Sequence, residues 1–240
     1  MTRGRLYLVP AWLSPGSEPE AVLPARALER IRALDAFVVE EAREARRFLA
    51  ACRHPRPMRE LALSELNEHT DQASVPALLA PLLAGKDVGL LSEAGLPAVA
   101  DPGALLVAAA HAQAIGVVPL SGPSSLMLAL MASGLEGQRF RFHGYLPVES
   151  PARRERLAGI ERGSARDDET QIFIETPYRN DALLADIVAA CRGTTRLAVA
   201  ADLTAPGEWI RMDRIEEWKA RPSPPIGKRP AVFLLHARGR

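Results

Sequence analysis

Short apolar runs alternate with stretches of helical spacing along most of the chain. Residues 5–11 read as a buried strand, and a loop rich in Pro, Gly, Ser and Glu follows through Pro24. Residues 25–34 carry helical periodicity and residues 36–40 form a second buried strand. A helix over 44–51 ends before the breakers His54, Pro55, Arg56 and Pro57. Residues 61–66 form a weak strand, 75–84 a helix stopped by Gly85, and 88–91 the next strand. A helix over 104–114 closes at Gly116 and leads into a strand over 117–120. This alternation predicts a parallel sheet covered by helices.

The second half repeats the style without repeating the sequence. After Ser121, Gly122 and Pro123 comes a strongly apolar helix to Ser133, in which Met127 and Met131 are expected in the core. A strand over 139–145, an arginine-rich helix over 151–162 and a polar loop over 163–169 follow. Strands at 171–175 and 196–201 flank a helix at 181–191. Strands at 208–212 and 231–236 bracket a short helix at 215–220 and a rigid loop at Pro222, Ser223, Pro224 and Pro225. The pattern places a domain boundary at residues 120–123, giving domains 1–120 and 121–240 in an α/β chain.

Composition narrows the setting. The 240 residues are 48% hydrophobic and 25% charged, as in an ordinary globular protein, and suffice for two α/β domains. No run approaches the ~18 apolar residues of a membrane span. The apolar run after Arg3 and Arg5 is broken by Pro10, so it reads as a first strand and not as a signal peptide. The two cysteines, Cys52 and Cys191, lie far apart at the ends of helical patterns, without metal-ligand spacing. They read as core or helix-end thiols of a cytoplasmic protein. A net charge of +1 argues against bulk electrostatic coating of nucleic acid and leaves a local patch open. Lysine occurs only at Lys86, Lys219 and Lys228, so nearly all positive charge is arginine, a bias attributed to genome composition. His69 and His143 fall in predicted loops and read as surface or satisfied histidines. The dinucleotide, P-loop and G-x-S-x-G patterns are all absent, and no metal site is expected.

Two segments carry candidate chemistry. In residues 90–103 a buried strand runs into a loop holding Gly95, Pro97, Pro102 and Gly103, and a helix begins at once. Ligands bind beyond the carboxyl ends of strands in open parallel sheets, and small residues let backbone approach them closely. Ordinary turn chemistry is the competing reading. Asp101 is placed to cap the helix. In residues 117–134 a strand ends in Ser121 and Gly122, and Pro123 suits the first turn of a helix. The free N–H groups of that turn and the Ser124 and Ser125 hydroxyls are candidates to receive a carboxylate.

These segments resemble a known family. Ser92, Glu93, Ala94, Gly95, Leu96 and Pro97 through Asp101, Pro102 and Gly103 resemble S-D-A-G-x-P…D-P-G of the tetrapyrrole methylase superfamily. Pro119 through Ser124 resemble its P-x-x-G-P-S. Within it, the chain is most similar to the ribosomal RNA small-subunit methyltransferase I branch, which methylates a cytidine ribose 2′-hydroxyl. Residues 6–10, the run Glu40, Glu41, Ala42, Arg43, residues 144–147, residues 175–179 and the run Asp202, Leu203, Thr204 occur in the expected order. Three segments depart from the branch: residues 10–15, 42–46 and 201–205, where its T-P-I-G-N-L, T-R-H-T-G and R-E-L-T-K are not kept. The chain thus reads as a diverged paralogue whose donor is better marked than its acceptor.

The resemblance implies a two-domain fold, with a mostly parallel N-terminal sheet and a mixed C-terminal one. It also implies a homodimer and a site for S-adenosyl-L-methionine in the interdomain cleft. Carried over residue by residue, the donor site comprises Pro10, Ser92, Glu93, Ala94, Gly95, Pro97, Ser121, Gly122, Pro123, Ser124, Tyr145, Thr176, Leu203, Thr204 and Pro230. An acceptor hydroxyl would need a general base, for which Glu40, Glu41, Glu93 and Asp202 are the candidates. Three readings stand: methyl transfer to RNA, methyl transfer to a small or macrocyclic substrate, and a binding module that holds the donor without transferring it. Arg139, Arg141, Arg153, Arg154 and Arg156 read as a solvated helix face and strand edge, with a phosphate-tracking patch as the alternative.

Overall fold

Period-two burial along the first strand sets the layering of the N-terminal half. β1 (Arg5–Val9) turns Tyr7 and Val9 to one face and Leu6 and Leu8 to the other. α1 (Pro19–Val22), α2 (Ala25–Arg32), β2 (Ala36–Val39), α3 (Ala42–Ala51), β3 (Ala62–Glu65), α4 (Ala80–Leu83), β4 (Val88–Leu91), α5 (Gly103–Ala112) and β5 (Gly116–Pro119) follow. The five strands pair in the order β3-β2-β4-β1-β5, every pair parallel. Leu28 and Ile31 of α2 and Phe48 and Leu49 of α3 pack on the face of Tyr7, Val9, Phe37 and Val39. Leu82 of α4 and Leu106 and Ala110 of α5 pack on the face of Leu6, Val38 and Leu90. Both faces are buried, which is why these strands read as continuous apolar runs.

The computed structural model describes residues 2–14, 17–67, 69–221 and 224–238, in two compact units, Met1–Ser124 and Ser125–Arg240. Of the rigid loop expected at 222–225, Pro222 and Ser223 lie outside the described residues. Unit 2 contains α6 (Ser125–Ser133), β6 (Phe140–Tyr145), α7 (Ser150–Asp167), β7 (Thr170–Ile174), α8 (Asn180–Ala190), β8 (Arg196–Ala201), β9 (Trp209–Arg214), α9 (Ile215–Ala220) and β10 (Ala231–His236). Its sheet, ordered β6-β7-β10-β8-β9, is mixed: β6 and β7 are parallel and the other pairs antiparallel. Phe173, Val199 and Phe233 face α7, α8 and α9, whereas α6 packs against β8, β9 and β10. No helix of the described residues is long and apolar enough to cross a membrane.

Several expectations are corrected. The helix expected at 75–84 is a 3-10 helix over Gln72–Leu79 followed by α4, because Pro76 and Pro81 supply no N–H for the α pattern. The loop through Pro24 contains α1, opened by Pro19. The polar loop expected at 163–169 is mostly helix, since α7 continues to Asp167 and stops where Asp168 turns left-handed. A buried stripe of Leu157, Ile160, Glu161 and Ser164 holds that extra turn. Met127 and Met131 are not core: they are 43% and 76% exposed, while Leu126, Ala129, Leu130 and Ser133 form the buried stripe. His143 lies in β6, not in a loop, with Nε2 2.7 Å from Gln171 Oε1. His69 lies in an exposed turn. Cys52 and Cys191 are free, buried and follow α3 and α8 directly, and burial pushes each thiol up to about 12.

Candidate functional site

Parallel strands send all their carboxyl ends to one edge. The register Val9↔Leu91 and Val39↔Leu91, with Leu8↔Pro119, puts the loops after β1, β2, β4 and β5 side by side. From β1 the chain crosses to β2 with α2 on one face, whereas from β4 it crosses to β5 with α5 on the other. Adjacent β1 and β4 thus send the chain in opposite directions, the topological switch at which open α/β sheets bind ligands. Pro10, Glu40, Ser92, Glu93, Ala94, Gly95, Pro97, Ser121, Gly122, Pro123 and Ser124 all lie in these four loops.

The loop after β4 is built from backbone under strain. Gly95 has φ +71°, its carbonyl accepts the Ala11 N–H at 2.8 Å and its N–H donates to Trp12 O at 3.3 Å. Ala98 (φ 65°) and Ala100 (φ 61°) are left-handed too, a conformation disfavoured for residues with a Cβ. Asp101 holds this turn: its Oδ1 accepts the N–H groups of Ala98 (2.8 Å) and Gly103 (2.7 Å), the latter opening α5. Burial pushes the Asp101 carboxyl up, against these N–H groups and the Ser92 hydroxyl, which hold it down. Ser92 is buried, with Oγ 3.4 Å from Ala94 O, and Pro97 is buried, whereas Glu93 and Ala94 are exposed.

Gly122 has a different reason to be small. A Cβ there would stand 2.3 Å from Pro10 Cβ, so the glycine lets the loop after β5 lie on the Pro10 ring. Its packing role precedes any contact with a ligand.

The base candidates separate on inspection. Glu41 caps α3, accepting the N–H groups of Arg43 (2.8 Å) and Glu44 (2.9 Å). Glu40 is half-buried at the end of β2, and its Oε2 accepts the Glu93 N–H at 3.2 Å. Burial raises its carboxyl above the usual range; the Glu93 N–H opposes this, and the charges of Asp101 and Glu93 add to it. Asp202 belongs to unit 2, where its N–H donates to Pro230 O at 3.0 Å and Arg229 Nε stands 3.9 Å from its carboxylate.

Unit 2 gathers its candidates at one end of the mixed sheet. Tyr145, which is 57% exposed, pairs in register with Ile174, and Ala231 pairs with Ala201. Tyr145, Thr176, Leu203, Thr204 and Pro230 therefore share an edge. Thr176 donates both its N–H (2.7 Å) and its hydroxyl (3.1 Å) to Glu175 Oε1, which Arg179 also grips through Nε (3.0 Å) and Nη2 (2.7 Å). Glu175 Oε2 and Thr204 Oγ1 are buried without a hydrogen-bond partner, and Leu203 is buried. Such orphaned atoms mark places where a ligand or water supplies the missing bond. The sequence reading placed Glu175 and Arg179 in a family segment without a role. The signal was an acid and an arginine four apart just beyond an apolar strand.

The arginine patch is corrected at Arg153, while Arg139, Arg141, Arg154 and Arg156 are exposed as on a solvated face. Arg153 is 4% exposed, with Nε 2.7 Å from Asp186 Oδ2 and Nη1 2.6 Å from Val148 O. It is neither a solvated face nor a phosphate tracker. Arg154 reaches the other oxygen of Asp186 (2.6 Å), Arg139 pairs with Asp168 (2.6 Å), Arg141 stands 3.7 Å from Glu169, and Arg156 lies 3.3 Å from His143 Nδ1.

Comparison with known proteins agrees with this architecture. The profile of the tetrapyrrole (corrin/porphyrin) methylases matches residues 15–218. A ribosomal RNA small subunit methyltransferase I of Xylella fastidiosa (strain Temecula1) is 37% identical over 90% of this chain and 76% of the relative. One of Escherichia coli O157:H7 is 32% identical over 99% of this chain and 79% of the relative. The uroporphyrin-III C-methyl transferase of Thermus thermophilus, solved in complex with S-adenyl homocysteine, superposes with a TM-score of 0.56. It is 19% identical, with 97% of each chain covered. With its parallel and mixed five-stranded sheets and a family match over most of its length, the chain belongs to the tetrapyrrole (corrin/porphyrin) methylases.

Proposed function

We propose that this methyltransferase moves the methyl group of S-adenosylmethionine to RNA, on a ribose 2′-hydroxyl. The observation that carries the reading is the carboxyl edge of the parallel sheet. There a strained, backbone-lined loop (Gly95, Ala98, Ala100) lies beside Glu40, a carboxylate with a raised pKa. The relatives named as ribosomal RNA methyltransferases support RNA as the acceptor. The residues of unit 1 fit an adenosyl amino acid: the exposed turn around Glu93 and Ala94 lies at the carboxyl edge of the parallel sheet, where backbone can approach the ligand.

When bound, S-adenosylmethionine supplies a methyl already activated by its sulfonium, so the chain's task is to position the reactants and exclude water. The bonds of Gly95 to Ala11 and Trp12 hold the turn in shape, and the exposed Ala94 beside it is where backbone can meet the donor. Asp101 keeps that turn fixed through its two N–H bonds. Glu40 takes the proton of the attacking hydroxyl at its carboxylate, and its raised affinity for protons suits that role. Glu41 contributes by starting α3, not by proton transfer. A cytoplasmic homodimer belongs to the same reading; exposed Met127 and Met131 on α6 favour a protein partner over solvent.

The test is transfer of labelled methyl from S-adenosylmethionine to small-subunit ribosomal RNA. Label in RNA that blocks alkaline cleavage at the modified position is expected, because a 2′-O-methyl removes the attacking hydroxyl. Glu40→Gln should slow transfer by about 10²-fold or more while S-adenosylhomocysteine affinity holds. Label appearing only in a small acceptor such as a tetrapyrrole would overturn the RNA reading.

A further inference from the structure

The face of unit 1 that carries α2 is not fully covered. β5 is an edge strand, and α2 lies over β1 without reaching across β5, which leaves a cleft of about 330 Å³. Its floor is apolar: Tyr7 from β1, Val118 from β5 and Leu120 just beyond it. Arg5, Arg26 and Arg30 line the same cleft. The Arg30 guanidinium lies 4.6 Å from the centre of the Tyr7 ring, so ring and guanidinium form a layered pair.

The charges here differ from those of the unit 2 arginines. Arg30 has only a long contact to Asp87, at 3.9 Å, and Arg5 and Arg26 form no side-chain ion pair among the described residues. Glu29 is the single acid lining the cleft. A site of this size accepts about one nucleotide. Arginines around a flat apolar floor match what single-stranded RNA requires: cations for the phosphates and planar groups for an unstacked base. The cleft also ends at Leu120, the residue before the Ser121 and Gly122 turn, so a strand lying in it leads toward the carboxyl edge.

We infer that the α2–β5 cleft is a docking groove for single-stranded RNA, in which Arg5 and Arg26 contact phosphates and Arg30 on Tyr7 stacks with a base. The inference rests on the RNA reading above and adds where the acceptor is held.

The experiment is fluorescence anisotropy of a labelled oligouridylate with the full chain, across a salt series. Arg5→Ala with Arg26→Ala should weaken binding roughly tenfold and lower the salt slope by about 1.4, from ~0.7 per phosphate contact on a single strand. S-adenosylhomocysteine affinity should not change. Arg139→Ala with Arg156→Ala, whose guanidinium groups already have partners, should leave the slope at its wild-type value. Wild-type affinity and slope in the Arg5, Arg26 variant would overturn the groove while leaving RNA methylation standing. Competition by inorganic phosphate or uridine monophosphate as strong as by the oligomer would overturn it too, since the cleft would then hold a small anion. Failure of the wild-type protein both to bind the oligomer and to methylate RNA would remove the functional reading, and the groove with it.

Discussion

The two sheets gather their functional loops by different routes. In unit 1 every strand runs the same way, so the carboxyl ends meet at one edge by necessity. In unit 2 β9 and β10 run against β6, β7 and β8, and so three carboxyl ends still meet, with the starts of β9 and β10 among them. The chemistry of the two edges differs more than their topology. The edge of unit 1 rests on backbone, with left-handed Gly95, Ala98 and Ala100 and acids pushed toward their protonated forms. The edge of unit 2 rests on carboxylates already held by arginine and backbone N–H groups, such as buried Glu175 with Arg179 and exposed Asp181 with residues 226 and 227. On the proposed reading the first edge brings backbone close to the donor, while the second holds side chains such as Glu175 in place. The arginines differ too: Arg153, Arg154 and Arg139 of unit 2 are closely paired with carboxylates. In the unit 1 cleft Arg30 has only its long contact to Asp87, and Arg5 and Arg26 form no side-chain ion pair among the described residues.

The largest expected effect tests the paired side of that contrast. Asp186→Ala leaves Arg153 buried without its carboxylate and should destabilise unit 2 by about 3–5 kcal/mol in chemical denaturation. Exposed Arg139→Ala should change stability by less than about 1 kcal/mol. Comparable effects of the two would break the distinction.

Glycines give the next contrast. Gly122→Ala drives a Cβ onto Pro10 and should cost about 1–3 kcal/mol. Gly144→Ala, left-handed in unit 2 with nothing within 4 Å of its Cβ, should cost about 1 kcal/mol from backbone strain alone. If Gly122→Ala folds as stably as wild type, the Pro10 contact is not what requires glycine.

The acids of the two units should respond to pH with opposite sign. Glu40 and Asp101 lie above the ordinary range, chiefly through burial. Their contribution is complete below the unfolded-state values and is lost as pH rises through the folded ones. Asp186 lies below the range: burial pushes it up, but hydrogen bonds from Arg154, Ser150 and Arg153 outweigh that. Its contribution is present above the unfolded value and is lost as pH falls through the folded one. Glu40→Gln should therefore remove a loss of stability on raising pH, and Asp186→Asn a loss on lowering it. These are the smallest effects, read from melting temperature against pH, and a shared sign would contradict the contrast.

Much of the fold was legible where apolar runs stand between breakers. Val88–Leu91, Arg196–Ala201 and Ala231–His236 are strands with the bounds their runs suggest. Local pattern failed where the deciding partner is distant. The pairing of Arg153 with Asp186 spans 33 positions, and Gly122 is small because of Pro10. It failed also where periodicity is ambiguous: α6 is apolar all round, so nothing marked Met127 and Met131 as the open side. Gly163 reads as a breaker, yet the buried stripe carries α7 past it. The candidate site was legible as loops at strand ends. The roles of Glu41 as a cap and Asp101 as a clamp needed the geometry.

The central claim is that this chain binds the adenosyl donor without a metal. Calorimetric titration with S-adenosylhomocysteine, with and without chelator, tests it most directly. One site per chain with unchanged heat in chelator is the predicted result. No binding at millimolar ligand, or binding abolished by chelator, would contradict it.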